Sequence, residues 1–329
     1  MLDNNTILTI LLYLFYSFII SYFSIKITLR FYNKIYYLSL ANHKSSSYHE
    51  PLFRGVGITY ILPLIPIIIL QTDLLSLREI SILLCSTLLG YIDDKRGLSQ
   101  RIKLLFLILI FLSFNYEYIT MPEKGITWLI MHLVFYIFFV LFFNQIDGIN
   151  GLSTLTFLTF ISLIFFFTNF KIMSVFLLVP IAVSILVYLN FNMRLKKVLQ
   201  GDSGSYFTGA FSYLIISRYE NEIEILYSLF FLLPLLIDVS LTSISRVLYG
   251  KKLFEGHRDN IYQQLTVKYK RHSFVTISII STQLLLSIFV IIFYKYFSFY
   301  HSVLLNLLLF MFVCVLWYKF HLKFNVKEI

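Results

Sequence analysis

Two adjacent carboxylates, Asp93 and Asp94, stand where an apolar run stops, in Leu89-Gly90-Tyr91-Ile92-Asp93-Asp94-Lys95-Arg96-Gly97-Leu98. Only 13% of the chain is charged. Acids placed side by side at such an edge repel one another and lose hydration, a cost that a cation relieves. Such a pair can position Mg²⁺ or accept a proton, and Lys103, nine positions beyond Asp94, can meet a phosphate as a point charge. The alternative is a self-neutralising loop with Lys95, Arg96 and Arg101. On composition alone the two readings weigh equally.

Four more segments carry polar residues at comparable edges. Asn42-His43-Lys44-Ser45-Ser46-Ser47-Tyr48-His49, followed by Arg54-Gly55-Val56-Gly57, suits an anionic head group, because glycine lets backbone N–H groups approach phosphate. A basic loop lying on lipid head groups explains these residues slightly better on their own. In FNQIDGINGLS, Asn144, Asp147 and Asn150 recur every three residues and share a helical face. Gly148 and Gly151 then permit a sharp reversal. Helix capping accounts for one or two of these polar residues but not for the series. In LQGDSGSYFTGA, Asp202 with neighbouring Gly and Ser at a helix start suits a hard cation carrying phosphate oxygens. A plain N-cap is nearly as good locally. Asn192, Lys196 and Lys197 lie just upstream. In FEGHRDNIYQQL, His257 and Arg258 suit a pyrophosphate, though a lone loop histidine is usually just solvated.

Other polar residues read more simply. Asp238, after Pro234 inside an apolar run, is a functional candidate by position. Holding a bent helix to its neighbours is the preferred reading. His132 reads as a satisfied core histidine. Asp73, Glu79, Glu117, Glu123, Glu220, Glu222 and Glu224 read as solvated charges at the opposite edge.

The elements that must position these residues are membrane helices. The chain of 329 residues is 58% hydrophobic, with a mean hydropathy of +0.80. That exceeds the apolar share of soluble domains and defines a polytopic membrane protein. The longest polar segment, from about Tyr249 to Ser273, is too short for a second domain. Cys85 and Cys314 lie in apolar runs, which argues against disulfides or a cysteine metal site. The net charge of +10 is spread over short loops, which points to orientation and anionic lipid or phosphate and away from nucleic acid. Asp3 and the lack of a small-residue cleavage site predict that the first apolar run is retained as a span.

The apolar runs are continuous, so the fold class is all-α, a helix bundle and not a barrel. About eleven spans are predicted: Thr6–Ile25, Val56–Leu70, Leu77–Ile92, Ile102–Ile119, Ile126–Ile146, Leu152–Thr168, Ile172–Leu189, Tyr206–Ser217, Ile223–Leu248, Phe274–Phe297 and Val303–Tyr318. With the N-terminus outside and the C-terminus in the cytoplasm, all of the 27 Lys and Arg fall inside except Arg78, Lys124, Lys171, Arg218 and Lys295. That satisfies the positive-inside rule. The cytoplasmic loops then run at about 26–55, 93–101, 147–151, 190–205 and 249–273, and Asp93, Asp94, Asp147, Asp202, Glu255 and Asp259 share that side.

In order along the chain, these segments resemble the polyprenyl-phosphate N-acetylhexosamine-1-phosphate transferases (glycosyltransferase family 4). The matching residues are Arg54-Gly55, Asp93-Asp94 with Gly97-Leu98 and Lys103, Asn144 with Asp147-Gly148, Gly201-Asp202 with Gly204-Ser205, and His257-Arg258. They span about residues 42–264. Tyr262-Gln263 after His257-Arg258 looks like the branch that starts O-antigen-type polysaccharides rather than the related phospho-N-acetylmuramoyl-pentapeptide transferases.

The resemblance implies one integral-membrane transferase domain over 1–329. It implies Mg²⁺, with Mn²⁺ as the alternative, and a UDP-N-acetylhexosamine and undecaprenyl phosphate as substrates. It further implies a multi-pass protein of the bacterial inner membrane, working at the cytoplasmic face among membrane lipids. Asp93, Asp94 and Asp202 would be catalytic, with Asp202 the metal ligand. Arg54, Lys103, Asn144, Asp147, Asn192, His257 and Arg258 would bind substrate. A homodimer is one option, since the sequence does not determine the oligomeric state. Departures from the family pattern fall at Asn150, where many members have Asp, at Asn260, where His is usual, and at Tyr48, a His position. From another class, a secondary transporter or flippase would want broken helices and acids near the midplane, usually in repeated halves. Only Pro234 with Asp238 fits that, and no repeat is visible.

Overall fold

The computed structural model describes all residues except 1–3, 36–37, 40–51, 71–73, 116–124, 168–171, 196–197, 219–221, 253–256 and 326–329. Among the described residues the chain is a helical bundle with one two-residue antiparallel pairing, Leu38–Ser39 with Leu52–Phe53. The helices in chain order are α1 (Asn4–Ile35), a 3₁₀ stretch Val56–Leu64 running into α2 (Ile65–Leu70), α3 (Leu77–Arg96) and α4 (Gln100–Phe114). Then follow α5 (Gly125–Gln145), α6 (Leu152–Phe167), α7 (Ile172–Leu189) with a π turn Asn190–Arg194, and α8 (Gly201–Ser217). The last five are α9 (Glu222–Phe230), α10 (Leu233–Leu248), α11 (Ile261–Tyr269), α12 (His272–Tyr296) and α13 (Phe299–Asn325).

Five described helices are long and apolar enough to cross a membrane, within α1, α5, α7 with its π turn, α12 and α13. A sixth arises if α9 and α10, bent by 76° at their junction, count as one broken span. Eleven predicted spans therefore become five or six by length and composition. The remainder are helices too short or too charged to qualify. Val56–Leu70 is largely 3₁₀, with Pro63 inside it, as expected where proline removes a helical donor. Several predicted loops are partly helical. α1 runs through 35, α3 through 96, α8 starts at 201, and α11 lies within 249–273. Residues 147–151 remain a tight turn.

α8 is the axis of the site. Every residue from Gly201 to Ile216 is buried, which suits a helix rich in Gly, Ser and Thr enclosed by close neighbours. α3 and α5 pack against it, and both run antiparallel to it. Near one end Gly90 faces the backbone of Asp202, so tightly that a β-carbon there would collide with the Asp202 carbonyl. At the far end Glu79 of α3 meets Arg218 just past α8. Along α5, Asn144 reaches the start of α8, and the backbone of Val140 abuts Gly209.

Local signals explain where these helices begin and stop. Ser76 and Glu79 form a reciprocal capping box at the start of α3. Gly97 ends α3 in a left-handed conformation, and Ser99 then caps α4. α8 has no capping side chain of its own at Gln200, a deficit met from α3.

Candidate active site

The start of α8, the last turn of α3 and the end of α5 bring the predicted acids together. Asp94 supplies the missing cap. Its Oδ1 accepts the Asp202 N–H at 2.8 Å and its Oδ2 accepts the Ser203 N–H at 3.0 Å. Two donors that a helix start leaves unsatisfied are thereby paired, and the carboxylate sits at the positive end of the helix dipole. Gly201 makes this approach possible. It adopts a left-handed φ of +74°, and a β-carbon on it would strike the Asp94 carboxylate.

Two bases link three acids. Arg54 contacts Asp94 Oδ1 through Nε at 2.8 Å and also pairs with Asp202. Lys103 is buried, pairs with Asp93, and lies 3.7 Å from Asp202 Oδ2. Asn144 Nδ2 donates to Asp202 Oδ1 at 2.9 Å and to Ser205 Oγ at 3.1 Å. Asp93 Oδ1 accepts the Leu98 N–H at 2.8 Å. Three carboxylates therefore share one guanidinium and one ammonium, leaving an excess of negative charge.

That excess divides the protonation states. Burial and the charge of Asp202 outweigh Lys103 and push Asp93 up to about 7. Burial and Asp202 likewise push Asp94 up to about 6, against Arg54 and the two helix N–H groups. Burial alone would raise Asp202, but Arg54, a hydrogen bond from Asp93, Lys103 and Asn144 together hold it below the usual carboxylate range. Asp202 holds Arg54 above its ordinary value. Asp147, in the turn after α5, is raised well above the usual range by burial, with Arg54 opposing and Asp202 and Asp94 adding to it.

The remaining predicted residues fall into different positions. Arg54 reaches the site because its segment lies against residues 198–200. Leu199 N–H donates to Phe53 O, Val56 N–H to Leu199 O at 3.4 Å, and Gly57 N–H to Gln200 O at 2.9 Å. The Gly-x-Gly amides expected to cradle phosphate are thus spent at Val56 and Gly57 on docking that segment. Asn192 is buried in the π turn and donates to Val198 O at 2.7 Å. Its amide thereby holds the segment that leads into α8, and its Oδ1 has no protein partner among the described residues. His257 is locally held, its Nδ1 accepting the Asp259 N–H at 3.2 Å. Burial and Arg246 lower its pKa. Arg258 is exposed, and Asp259 pairs with Arg246. The Asn42–His49 loop, Lys196, Lys197 and Glu255 lie outside the described residues.

Glu79 is not a solvated charge. It is buried, paired with Arg218 and bonded to Ser76. His132 is a core residue beside Tyr213 Oη at 3.3 Å, as expected. Asp238 also reads as expected, since it ties elements together by hydrogen bonds. Sequence reasoning missed that Asp94 caps α8. The available signal was Gly201-Asp202 opening a helix with no capping residue before it.

Among the described residues no three Asp, Glu, His or Cys side chains converge on one point as metal ligands, and Arg54 and Lys103 pair with the carboxylates instead. The donors around them are oxygens alone, the set a hard divalent cation takes.

The fold and site define a helical membrane protein with a buried acid cluster where its central helices meet. The family model Glycosyl transferase family 4 matches residues 79–219, from the start of α3 to the end of α8. The match covers less than half of the chain and makes this stretch similar to a family of transferases. The matched stretch holds Asp93, Asp94, Lys103, Asn144, Asp147 and Asp202, and excludes Arg54, His257 and Arg258. No curated protein matches the chain.

Proposed function

We propose that this protein transfers N-acetylhexosamine-1-phosphate from a UDP-sugar to undecaprenyl phosphate. UMP leaves and a lipid-linked first sugar of a cell-surface polysaccharide of O-antigen type is formed. The observation that carries the reading is the cluster of Asp93, Asp94 and Asp202 around Arg54 and Lys103 at the end of the apolar helices. A soluble donor and a lipid acceptor can react only where apolar interior meets water. We place the reaction at the cytoplasmic face of a bacterial inner membrane, as the distribution of basic residues suggests.

The residues divide the work. Asp202 would hold Mg²⁺, with Mn²⁺ as an alternative. The ion supplies charge neutralisation between the two phosphates. Arg54 and Lys103 are released from the carboxylates when phosphate enters and meet its oxygens instead. Asp93, the buried acid that titrates near neutrality, is the one suited to take a proton from the lipid phosphate. Asp94 is committed to capping α8, so its part is to fix Asp202. Asn144 orients Asp202, and Asp147 with His257 and Arg258 faces the nucleotide or sugar.

The lipid phosphate oxygen attacks the sugar-bearing phosphorus, the bond to the UMP oxygen breaks, and the new pyrophosphate joins sugar to lipid. The same chemistry in peptidoglycan or teichoic acid synthesis is the nearest alternative. A transporter reading keeps the bend between α9 and α10 but no free acid, because Asp238 accepts hydrogen bonds from Thr242, Ile261, Tyr262 and Trp317.

The test incubates purified protein, Mg²⁺ and undecaprenyl phosphate with a panel of UDP-sugars. UMP release with a lipid-linked product from a UDP-N-acetylhexosamine is expected. No release from any of them overturns the reading.

A further inference from the structure

α11 also lacks a capping side chain at Asn260, and again an acid from elsewhere supplies it. Asp238 of α10 accepts the Ile261 N–H at 2.9 Å on Oδ1 and the Tyr262 N–H at 3.3 Å on Oδ2. Trp317 Nε1 of α13 donates to the same carboxylate at 3.0 Å, and Thr242 Oγ1 at 3.4 Å. A carboxylate buried in an apolar helix is tolerated when its oxygens are filled in this way. The start of α11 is thereby locked to α10 and α13.

From that fixed point Tyr262, itself buried, reaches across to the acid site. Its Oη donates to the Gln145 carbonyl at 2.8 Å, one of the acceptors that the end of α5 leaves open. The turn beyond lies directly on α11. A β-carbon on Gly148 would stand 2.9 Å from Tyr262 Oη and 3.1 Å from Gln263 Nε2. Gln145 adjoins Asn144, the donor to Asp202, and the same turn carries Asp147.

We infer that Tyr262, anchored through Asp238, is a positioning residue that sets the end of α5, and with it Asn144, against Asp202. The inference deepens the transferase reading and rests on it for its kinetic consequence. Tyr262 touches none of the reacting groups in this scheme. It acts through the α5 terminus, so it governs how well Asn144 is aimed. Small misplacements of that kind carry large rate penalties.

Tyr262→Phe removes one hydroxyl and keeps the ring. Hydrogen exchange on the purified full chain should show amides of residues 145–151 exchanging roughly tenfold faster in this variant, with those of α8 unchanged. Unchanged exchange at 145–151 overturns the inference, whether or not the protein turns over. In kinetics, kcat for UMP release should fall roughly tenfold with the donor KM within about twofold. In an Asn144→Ala background the same substitution should change kcat less than about twofold, because the group it aims is gone. Equal losses in both backgrounds would also overturn it. Asp238→Asn, which keeps one acceptor oxygen, should show an intermediate rise in exchange over the same residues. A wild-type protein that releases no UMP defeats the transferase reading alone, and the exchange result still judges Tyr262.

Discussion

At one end of the antiparallel pair α3 and α8, Glu79 meets Arg218. At the other, Asp93, Asp94 and Asp202 meet Arg54 and Lys103. The same two helices carry both clusters, yet the chemistry differs. Glu79 accepts from Ser76 N–H at 2.8 Å, from Ser76 Oγ at 2.9 Å and from Arg218 Nε at 2.7 Å, while Arg218 also donates to Leu74 O at 2.7 Å. One acid faces one base and every bond closes a helix end. At the opposite end acids outnumber bases, two bases are each divided between two acids, and one carboxylate is pushed up to about 7. The Glu79 carboxylate is engaged at both oxygens within the fold. In the reaction proposed above, the unbalanced cluster would exchange its internal cations for an external one and accept phosphate on the bases so freed.

That contrast can be broken most strongly at Asp202. Asp202→Asn should lower UMP release about a thousandfold or more while the solubilised protein stays folded by size-exclusion and thermal scanning. Normal turnover by the folded variant would remove Asp202 from the chemistry. The opposite pattern is expected at the other end. Arg218→Met should cost about 1–2 kcal/mol of stability, toward the low side for a buried acid losing its partner because Arg218 is partly exposed and Ser76 remains bonded. The kcat should stay within about twofold. A large kcat loss at unchanged stability would erase the distinction between the two ends.

The smallest expected effect is a pH dependence. Asp93 and Asp94 have folded pKa values raised above the ordinary 3.8, so the folded state binds protons more tightly than the unfolded one. Their contribution to stability is therefore complete below about pH 4 and is lost as pH rises to about 7. Unfolding midpoints measured in a chelator across that window should fall less steeply for Asp93→Asn than for the wild type. Parallel curves would show that Asp93 titrates normally.

Much of this arrangement was legible along the chain. Apolar runs marked the helices, and acids at the ends of those runs marked residues that the fold brings into one cluster. Other features were not legible, for physical reasons that can be named. A hydropathy rule stops α3 at Ile92 and starts α8 at Tyr206, because it treats Asp93, Asp94 and Asp202 as loop residues. In the fold, the Asp94 carboxylate satisfies the first amides of α8, so both helices run into the polar segment. Glu79 read as a loop charge because its partner lies 139 residues away. That Asn192 bonds Val198 O was likewise hidden, since nothing local reveals it.

Composition and periodicity alone determined that this chain is a helical membrane protein with its acids gathered at helix ends, since burial of apolar surface and the cost of buried charge act locally. Which acid caps a helix, which pairs with a base and which is left to titrate near neutrality was decided only in three dimensions. Those roles depend on distances among α3, α5, α8 and the Arg54 segment, and Coulomb and hydrogen-bond energies follow distance and burial, not position along the chain.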